Sequence, residues 1–323
     1  MKISEIDEFK FDFPPKPDYS ATIIGLGGAA GRIVDKLVDK DIPDTKLCAF
    51  GMNKQEVSSL VLADKFLIGS DGLGSGKNRD LATLACRHSL PVIEKILSVP
   101  FVAIYVACLG GATGESCLKV FLQEAKRSNV KVTMLITTIP HHLEGIEKRD
   151  NAKRLIGDLK PFVDGIMVVD YEDLKATSIQ SLYAEADRIV ADMASSFVSL
   201  FTVVSMVCFD FNDIMTFLRE AKTKIIDFRS VSGNIDTVEY GLKNLPFAKY
   251  SLTDDIAAMI FEICAAEPRS IPKSDFERIT SFLFLLHGNI ESRLTISPYK
   301  DLPNGCYKVN LYLTKTFSQD YAE

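Results

Sequence analysis

The sequence predicts an α/β protein with a parallel sheet, one long helix and a smaller α+β region after it. Short, wholly apolar runs alternate with amphipathic segments from Ala21 onward, glycines follow several of these runs, and a helical pattern without Gly or Pro covers 178–202. Wholly apolar strands are typical of a parallel sheet with helices on both faces. We expect an N-terminal arm (1–20), a sheet domain (21–177), a connecting helix (178–202) and a C-terminal domain (203–323).

The individual elements follow from the spacing of apolar residues. Strands are predicted at "ATIIGLG", "KLCAFGM", "DKFLIGS", "PFVAIYVACLGG", "VKVTMLITTIP" and "DGIMVVD". Helices are predicted at "RIVDKLVDK", "LATLACRHSLPVIEKIL", "SCLKVFLQEAKRS" and "IEKRDNAKRLIGDLKPF". After the long helix, "VVSMVCFDFNDIMTFLREA" predicts a strand, a loop and a helix. The patterns then predict helices at "SLTDDIAAMIFEICAAE" and "KSDFERITSFLFLLHG", and strands at "SRLTISPY" and "CYKVNLYLTK".

Composition and charge indicate a globular protein of the cytoplasm. The chain has 323 residues, 47% of them hydrophobic, and its net charge of −6 gives no reason to expect nucleic-acid binding or an anionic membrane surface. Its seven cysteines form no CxxC pair and lie mostly in apolar runs, which predicts reduced, buried thiols. No signal peptide or membrane-spanning run is recognisable. The pair His141-His142 has no Cys, Asp or Glu at ligand spacing beside it, so no metal site is expected.

Three glycine-rich loops follow predicted strands: the first loop is "GLGGAAG" (25–31), the second is "CLGGATGES" (108–116) and the third is "IGSDGLGSGKNRD" (68–80). Glycines let a backbone approach an anion closely, and a helix N-terminus offers free N–H groups and partial positive charge. A glycine-rich loop taken singly is more often just a tight turn. Together, at the strand ends of one parallel sheet, the loops predict a polyphosphate ligand. The P-loop pattern G-x-x-x-x-G-K-[ST] is absent from the sequence.

The first glycine loop also fits a dinucleotide fingerprint, which makes a Rossmann-type, NAD-dependent oxidoreductase an alternative. That fingerprint is normally followed, about 20 residues on, by an acidic residue that binds the ribose. Here the second strand ends in "AFGMNKQ", with Asn53 and no carboxylate. The dehydrogenase interpretation therefore depends on the first loop alone.

Five motifs in order resemble the FtsZ/tubulin family. "GLGGAAG" resembles its first loop, "GLGSGKNRD" its "GLGAGANPE" segment and "GGATGES" its "GGGTGTG" signature. "TTIPHHLEG" is similar to "TKPFxFEG", and "DGIMVVDYEDL" to "DxxIxIxNDxL". The resemblance runs from about Ala21 to Phe217 and becomes vague beyond Phe228. It implies a Rossmann-like GTP-binding domain, a long central helix and a smaller C-terminal domain.

The resemblance also implies roles for individual residues. The amides expected around the phosphates of GTP or GDP are those of Gly25, Gly27, Gly28, Gly110, Gly111, Thr113 and Gly114. Ala112 replaces the third glycine of the signature, and Ser75 and Gly76 are expected near the γ-phosphate. Mg²⁺ is expected to accompany GTP.

Base and ribose contacts are implied for Glu144, on the ribose, and Tyr183, stacked on the base. Asp187 stands where the family has the Asn that reads guanine, and a carboxylate can accept from both N–H groups of that base. The alternative is that Tyr183 and Asp187 are ordinary surface residues of the helix without a role in binding. Three further nucleotide-contacting positions carry other residues than in the family: Arg32, Lys148 and Tyr171.

Catalysis in this family is shared between subunits, because a loop of the second domain enters the neighbour's nucleotide site. "CFDFNDI" retains two acids of that loop, Asp210 and Asp213, which could orient water near a γ-phosphate. The alternative is a helix N-cap made by the same two residues. Glu115, at the start of a helix, either complements the helix dipole or repels phosphates unless a basic residue such as Arg32 offsets it.

Two hypotheses remain. The first is a GTPase that polymerises head to tail into filaments. The second is a catalytically weak GTP-binding regulator or adaptor of filament assembly, which Ala112 and Glu115 favour. Only "SQDYAE" follows "NLYLTKTF", so the long tail that docks membrane tethers in division FtsZ proteins is not expected. This predicts a divergent relative, partnered by itself and by an ordinary FtsZ or a tether protein, without direct membrane insertion.

Overall fold

The first sheet has six strands, all parallel, in the order β3-β2-β1-β4-β5-β6. The computed structural model describes residues 21–69, 72–207, 210–221, 224–245, 256–281 and 291–315, so the predicted arm 1–20 lies outside it. The strands are β1 (Ala21–Leu26), β2 (Thr45–Gly51), β3 (Asp64–Leu67), β4 (Val102–Cys108), β5 (Val132–Ile139) and β6 (Gly165–Asp170). β1 and β5 are buried along their whole length, because helices cover both faces of the sheet. The predicted parallel sheet is confirmed.

Helices cover the two faces of this sheet. They are α1 (Gly28–Asp35), α2 (Lys54–Ser59), α3 (Arg79–His88), α4 (Leu90–Leu97), α5 (Ala112–Ala125), α6 (Ile146–Leu159) and α7 (Ile179–Thr202). α1 and α7 pack on one face, where Ile33 and Phe197 are fully buried. α3, α4, α5 and α6 pack on the other, where Phe121 and Ile156 are fully buried.

The segment predicted as one helix at "LATLACRHSLPVIEKIL" is two helices, α3 and α4, which meet at Ser89. Pro91 explains the break, because it lies in the first turn of α4. Proline has no N–H to donate, and its ring would clash with the carbonyl of Arg87 four residues earlier in a continuous helix. The first turn of a new helix tolerates it.

The predicted long helix is observed as α7. Ser178 caps its N-terminus, and its side chain and that of Ser181 each accept a hydrogen bond from the other's backbone N–H. Ala186, Val190 and Phe197 are fully buried, at the spacing of one helix face. α7 therefore lies against the parallel sheet through its apolar stripe.

The second sheet has the order β7-β10-β8-β9, with antiparallel β7–β10 and β10–β8 pairs and a parallel β8–β9 pair. Its strands are β7 (Ile226–Asn234), β8 (Ile256–Ala265), β9 (Glu291–Pro298) and β10 (Cys306–Lys315). The remaining helices are α8 (Phe211–Glu220), α9 (Ile235–Lys243) and α10 (Lys273–Thr280). This sheet and its helices confirm the predicted α+β region, although the sequence patterns did not predict β7 or α9.

Two predicted elements of this region are wrong. "SLTDDIAAMIFEICAAE" was expected to be a helix, but Ile256–Ala265 form β8 between β10 and β9. A central strand needs apolar residues on both faces, and such a run cannot be told from a buried helix by spacing alone. Of the strand expected before α8, residues 203–207 form only a single bridge, between Val207 and Ile296, and residues 208–209 lie outside the described ranges.

A buried ion pair joins α7 to the second sheet. The Lys308 ammonium, on β10, donates to the Asp192 carboxylate at 2.5 Å and to the Ser196 hydroxyl at 3.1 Å, both on α7. The ionised Asp192 carboxylate raises the pKa of Lys308 against the effect of burial, which disfavours the charged form. No helix in the described ranges combines the length and hydropathy needed to cross a membrane.

Candidate functional site

The order in which the chain adds strands to the parallel sheet reverses between β1 and β4. The chain leaves β1 for β2 on one side, and β4 then pairs with β1 on the other side. A crevice forms at the carboxyl ends of strands at such a point, and open α/β sheets bind ligands there. The first and second glycine loops follow β1 and β4, so they border this crevice. The helices they open begin after Gly27 and Gly111, and no described side chain caps either N-terminus.

The structure brings all three glycine loops together. Gly27 has φ 89°, and a Cβ built there would lie 3.3 Å from the Gly114 nitrogen, so the first and second loops touch. The Thr113 hydroxyl donates to the Ser75 hydroxyl at 3.3 Å, which links the second loop to the third. In that third loop Gly76 has φ 55° and open space around the position of a Cβ. The predicted phosphate-contacting residues therefore converge.

Lys148 lies across the second loop. Gly110 has φ 97°, and a Cβ built there would overlap the Lys148 side chain. The Lys148 ammonium donates to the Glu144 carboxylate at 2.6 Å. One cation thus links the expected phosphate region to the expected ribose contact. Arg149, its neighbour in sequence, points elsewhere: its guanidinium makes a bidentate pair with Asp170 at 2.7 and 2.5 Å.

An aromatic pair borders the site on the side of α7. The rings of Tyr171, which follows β6, and Tyr183, on α7, meet edge to face with centroids 5.6 Å apart. Burial raises the pKa of Tyr183, and the charge and hydrogen bond of Glu144 raise it further. Asp187 lies one turn beyond Tyr183, and the Lys36 ammonium donates to it at 2.9 Å. The predicted base-contacting residues therefore form one cluster, to which Lys36 is an addition.

Glu115 is nearly buried, with 6% of its surface exposed, and it lies inside the second loop. One carboxylate oxygen accepts from the Gly110 amide at 2.7 Å, and the other lies 2.6 Å from the guanidinium of Arg79. The basic residue that offsets this acid is therefore Arg79, on α3, rather than Arg32. Arg32 is exposed on α1.

A second carboxylate lies at the first loop. A Cβ built on Gly28 would overlap the carboxylate of Glu56, which α2 carries. A side chain does not fit at Gly25 either, because a Cβ there would lie 2.8 Å from the backbone oxygen of Ala30 in α1. Asn53 caps α2 and accepts from the amides of residues 55 and 56 at 2.9 and 3.3 Å. Its side chain is thus engaged in a helix cap at the place where a dinucleotide fold carries its ribose-binding acid.

The predicted catalytic acids lie at the opposite end of the parallel sheet. Asp210 is the N-cap of α8, and Asp210 and Asp213 accept hydrogen bonds from each other's amides at 2.8 and 3.1 Å. Phe211 packs edge-on against Phe101 with ring centroids 6.5 Å apart. Phe101 immediately precedes β4, so the start of α8 lies at the amino end of that strand. The glycine loop follows the carboxyl end of β4, roughly 20 Å away at about 3.3 Å per residue.

A third cluster lies beside the site. The ring of His142 is 2.9 Å from the Glu172 carboxylate, and the rings of His141 and His142 have centroids 4.4 Å apart. The sequence patterns did not connect Glu172 with this histidine pair, because it lies 30 residues further along the chain than His142. Parallel pairing of β5 and β6 brings the two segments together.

Similarity to known proteins decides the family. Residues 20–178 match the family model described as Tubulin/FtsZ family, GTPase domain. This part of the chain belongs to the Tubulin/FtsZ family. An FtsZ dimer of M. jannaschii has the same fold, with a TM-score of 0.79 and 17% identity over 92% of this chain and 88% of that one. CetZ2 from Haloferax volcanii, described as a GTPgS-bound protofilament, has a TM-score of 0.72 and 19% identity over 93% and 95%.

Sequence relatives of the chain are cell division proteins. It is 26% identical to FtsZ of Aquifex aeolicus over 63% of this chain, and 25% identical to FtsZ 1 of Thermococcus kodakarensis over 69%. The matched part spans 58% and 61% of the length of those relatives.

Four side chains of the site were not predicted from the sequence: Lys36, Glu56, Arg79 and Glu172. Each is remote in sequence from the residue it contacts, and although Arg79 and Glu172 lie within quoted motifs, the resemblance implied no role for either. Arg79 lies within the quoted third loop, "GLGSGKNRD", but a basic residue after a glycine run does not indicate which acid it will meet.

Proposed function

We propose that this protein binds GTP and assembles head to tail into filaments in the cytoplasm, with hydrolysis completed at each junction between two copies. The proposal rests on the positions of the glycine loops and of the two acids in the fold. The glycine loops lie at the carboxyl end of β4, and Asp210 and Asp213 lie beyond its amino end, at the start of α8. Since the strand separates them, these acids can reach a phosphate only in a neighbouring copy.

The shape of the loops supports a nucleotide. Gly27 and Gly110 have left-handed φ values, and side chains there would close the space that Gly114 and Lys148 border. Two uncapped helix N-termini, those of α1 and α5, favour the phosphates, and Lys148 supplies a positive charge. Mg²⁺ would arrive with GTP as the counterion of its phosphates.

The opposite side of the site supports guanine. Asp187 would accept from the ring N–H and the exocyclic amine of the base, while Tyr183 stacks on its face. Tyr183 is 40% exposed, so one face of its ring is accessible to a ligand. The ion pair with Lys36 orients the Asp187 carboxylate, and Glu144 would hold the ribose hydroxyls.

Exposed apolar side chains support assembly through both ends. Leu143 and Ile146, after β5, are 81% and 70% exposed at the nucleotide end. Val204 and Met206, just before α8, are 87% and 49% exposed near the other end. Two different surfaces that meet without closing a ring generate an open filament.

In the proposed junction, Asp210 and Asp213 orient the attacking water and accept its proton. Each carboxylate uses one oxygen for the cap of α8, and the second oxygen of each remains to face the neighbour. The cap holds the two acids at a fixed spacing. This pre-organisation is what a general base needs to act on a water bound in another subunit.

Asp210→Asn separates the catalytic role from the capping role, because Asn caps helices about as well as Asp. We expect phosphate release to rise with protein concentration in the natural protein and to fall by at least about 100-fold in this variant at an unchanged melting temperature. Full activity in the variant would reduce Asp210 to a helix cap. Sedimentation and electron microscopy with GTP test assembly, which an all-monomer result under varied Mg²⁺ and salt would exclude.

A mixing experiment tests the shared site. Asp210→Asn retains the glycine loops, whereas Gly110→Ala retains the acids but places a Cβ on Lys148. Neither variant should hydrolyse GTP alone. The mixture should recover activity, because some junctions combine intact loops with an intact acid. No recovery in a mixture that co-sediments would contradict the arrangement in trans.

A second candidate is a GTP-binding regulator or adaptor with weak hydrolysis, which would act on an ordinary FtsZ or a tether protein. The carboxylates of Glu115 and Glu56 favour it, since they occupy positions against Gly110 and Gly28 in the two loops. Stoichiometric GTP with a phosphate release rate independent of protein concentration would select this candidate. Nothing in the described ranges favours the oxidoreductase alternative.

A further inference from the structure

We propose that His141, His142 and Glu172 form a binding site for a divalent transition metal such as zinc. Their candidate ligand atoms all lie within 4.8 Å of one another. Two imidazoles and one carboxylate make a donor set that suits zinc, and a site with three protein ligands leaves one position open.

The fold explains why these side chains meet. β5 and β6 are parallel neighbours in which Ile139 pairs with Asp170. Both strands end at that pair, and His141 and Glu172 each follow two residues later, so the two segments leave the sheet side by side. His142 opens the short 3₁₀ helix His142–Glu144. The cluster therefore depends on strand register and not on chance contact between long side chains.

The spacing suits coordination. The Nδ1 atom of His142 and the Oε1 atom of Glu172 are 2.9 Å apart. Two ligands about 2.1 Å from a tetrahedral zinc are about 3.4 Å apart, so this pair must open by only about half an ångström. In the metal-bound state the ion takes the place of the proton shared by the two groups. His141 Nδ1 accepts from the Leu143 amide at 3.2 Å, a long bond that the metal would replace.

The local charge also favours a cation. Arg149 is the one guanidinium beside the cluster in the described ranges, and it faces two carboxylates, those of Asp170 and Glu172. One positive and two negative charges leave one negative charge uncompensated. The Arg149 guanidinium lies 3.2 Å from Oε2 of Glu172 and thereby orients the carboxylate, as outer partners do in metal sites.

Cobalt(II) titration of the nucleotide-free, full-length chain tests the site, with zinc competition to follow. We expect one equivalent to bind with the visible bands of nitrogen and oxygen ligation. His142→Ala and Glu172→Gln should each weaken binding by more than about 100-fold, since loss of even an outer partner costs about 10–100-fold. Both side chains are exposed, so the variants should fold, and far-UV circular dichroism checks this.

His88→Ala is the matched control, because His88 is exposed at the end of α3, away from the cluster. It should bind cobalt like the natural protein. Zinc should also raise the melting temperature of the natural protein and of the control, but not that of His142→Ala. Equal affinity in all variants, thiolate charge-transfer bands that reveal cysteine ligation, or no binding would each overturn the proposal.

Discussion

The carboxylate of Glu115 accepts a 2.7 Å hydrogen bond from the amide of Gly110, within the loop that follows β4. This amide is one of those that we assign to phosphate binding. Arg79 balances the charge of the acid at 2.6 Å from its second oxygen. The loop therefore holds an internal anion where an incoming phosphate would compete for the same donor.

Removing the charge of Glu115 should strengthen nucleotide binding. Glu115→Gln retains the shape of the side chain but ends its repulsion of the phosphates, and we expect GTP affinity to rise by about tenfold. Arg79→Gln should have the opposite effect, because it leaves a buried carboxylate uncompensated. Equilibrium titration with a fluorescent GTP analogue measures both. Weaker binding in Glu115→Gln would mean that the acid organises the loop instead of competing with the ligand.

Breaking the Lys308–Asp192 ion pair should destabilise the protein. Lys308→Met leaves the Asp192 carboxylate, which is 15% exposed, with the more distant Lys40 ammonium, at 3.8 Å, as its ion-pair partner among the described residues. We expect the free energy of unfolding to fall by about 3 kcal/mol, as for other buried pairs that lose one partner. Urea denaturation measures it. The double variant with Asp192→Leu should recover most of the loss, and a double variant as unstable as the single one would contradict the charge-based explanation.

Stability should fall as pH rises because of Glu262, which is 1% exposed on β8. Burial raises the pKa of this carboxyl group above its usual value of 4.5, and the 2.8 Å hydrogen bond from the Asn310 amide offsets only part of the effect. The folded protein thus retains a proton that the unfolded chain releases. The contribution of Glu262 to the free energy of unfolding is complete below pH 4.5 and is lost as pH rises through the pKa of the folded state. The loss is about 1.4 kcal/mol for each pH unit that separates the pKa of the folded state from that of the unfolded state.

Glu262→Gln tests this dependence, because glutamine can still accept from Asn310 but does not titrate. Its free energy of unfolding relative to the natural protein should increase from pH 5 to pH 8. Chemical denaturation at each pH gives the comparison. Parallel stability curves for the two proteins would show that Glu262 has the same pKa in the folded and unfolded states.

Removing the hydroxyl of Tyr105 should stabilise the protein. The side chain is fully buried in β4, and its hydroxyl has no hydrogen-bond partner among the described residues. Tyr105→Phe should therefore raise the free energy of unfolding by about 1 kcal/mol, since a buried unsatisfied polar group costs about 1–3 kcal/mol.

Tyr307→Phe is the matched control for this substitution. The Tyr307 hydroxyl donates to Asp275 at 2.7 Å, so its removal should cost about 1 kcal/mol. Thermal denaturation of both variants shows whether each substitution raises or lowers the free energy of unfolding. Destabilisation of similar size in both would indicate that Tyr105 has a partner that only forms in solution.

The first half of the fold was predictable because its signals are local. Apolar runs ending in glycine, such as those before Gly25 and Gly110, identified β1 and β4 and the loops that follow them. The long helix was predicted over 178–202, and α7 is Ile179–Thr202 with Ser178 as its N-cap. β8 was not predicted, because its two faces are buried against α7 on one side and α9 and α10 on the other, and its strand neighbours β9 and β10 come later in the chain.

The site was predictable only where a motif carried it. Thr113 and Ser75 lie in glycine loops, and the structure places their hydroxyls in contact. Arg79 and Lys36 contact their partners through tertiary packing of α3 and α1, which no spacing in the sequence encodes. The position of Asp210 at the far end of the sheet likewise depends on how the second domain packs, and Phe211 against Phe101 reveals it.

The glycine loops and the start of α8 lie at opposite ends of the protein, so any row of copies joined end to end would have a direction. Every copy in such a row would point the same way, so one tip would present open loops and the other tip unused acids. The two tips would therefore grow and shrink at different rates. A single copy carrying Asp210→Asn would silence one junction and leave the junction on its other side intact.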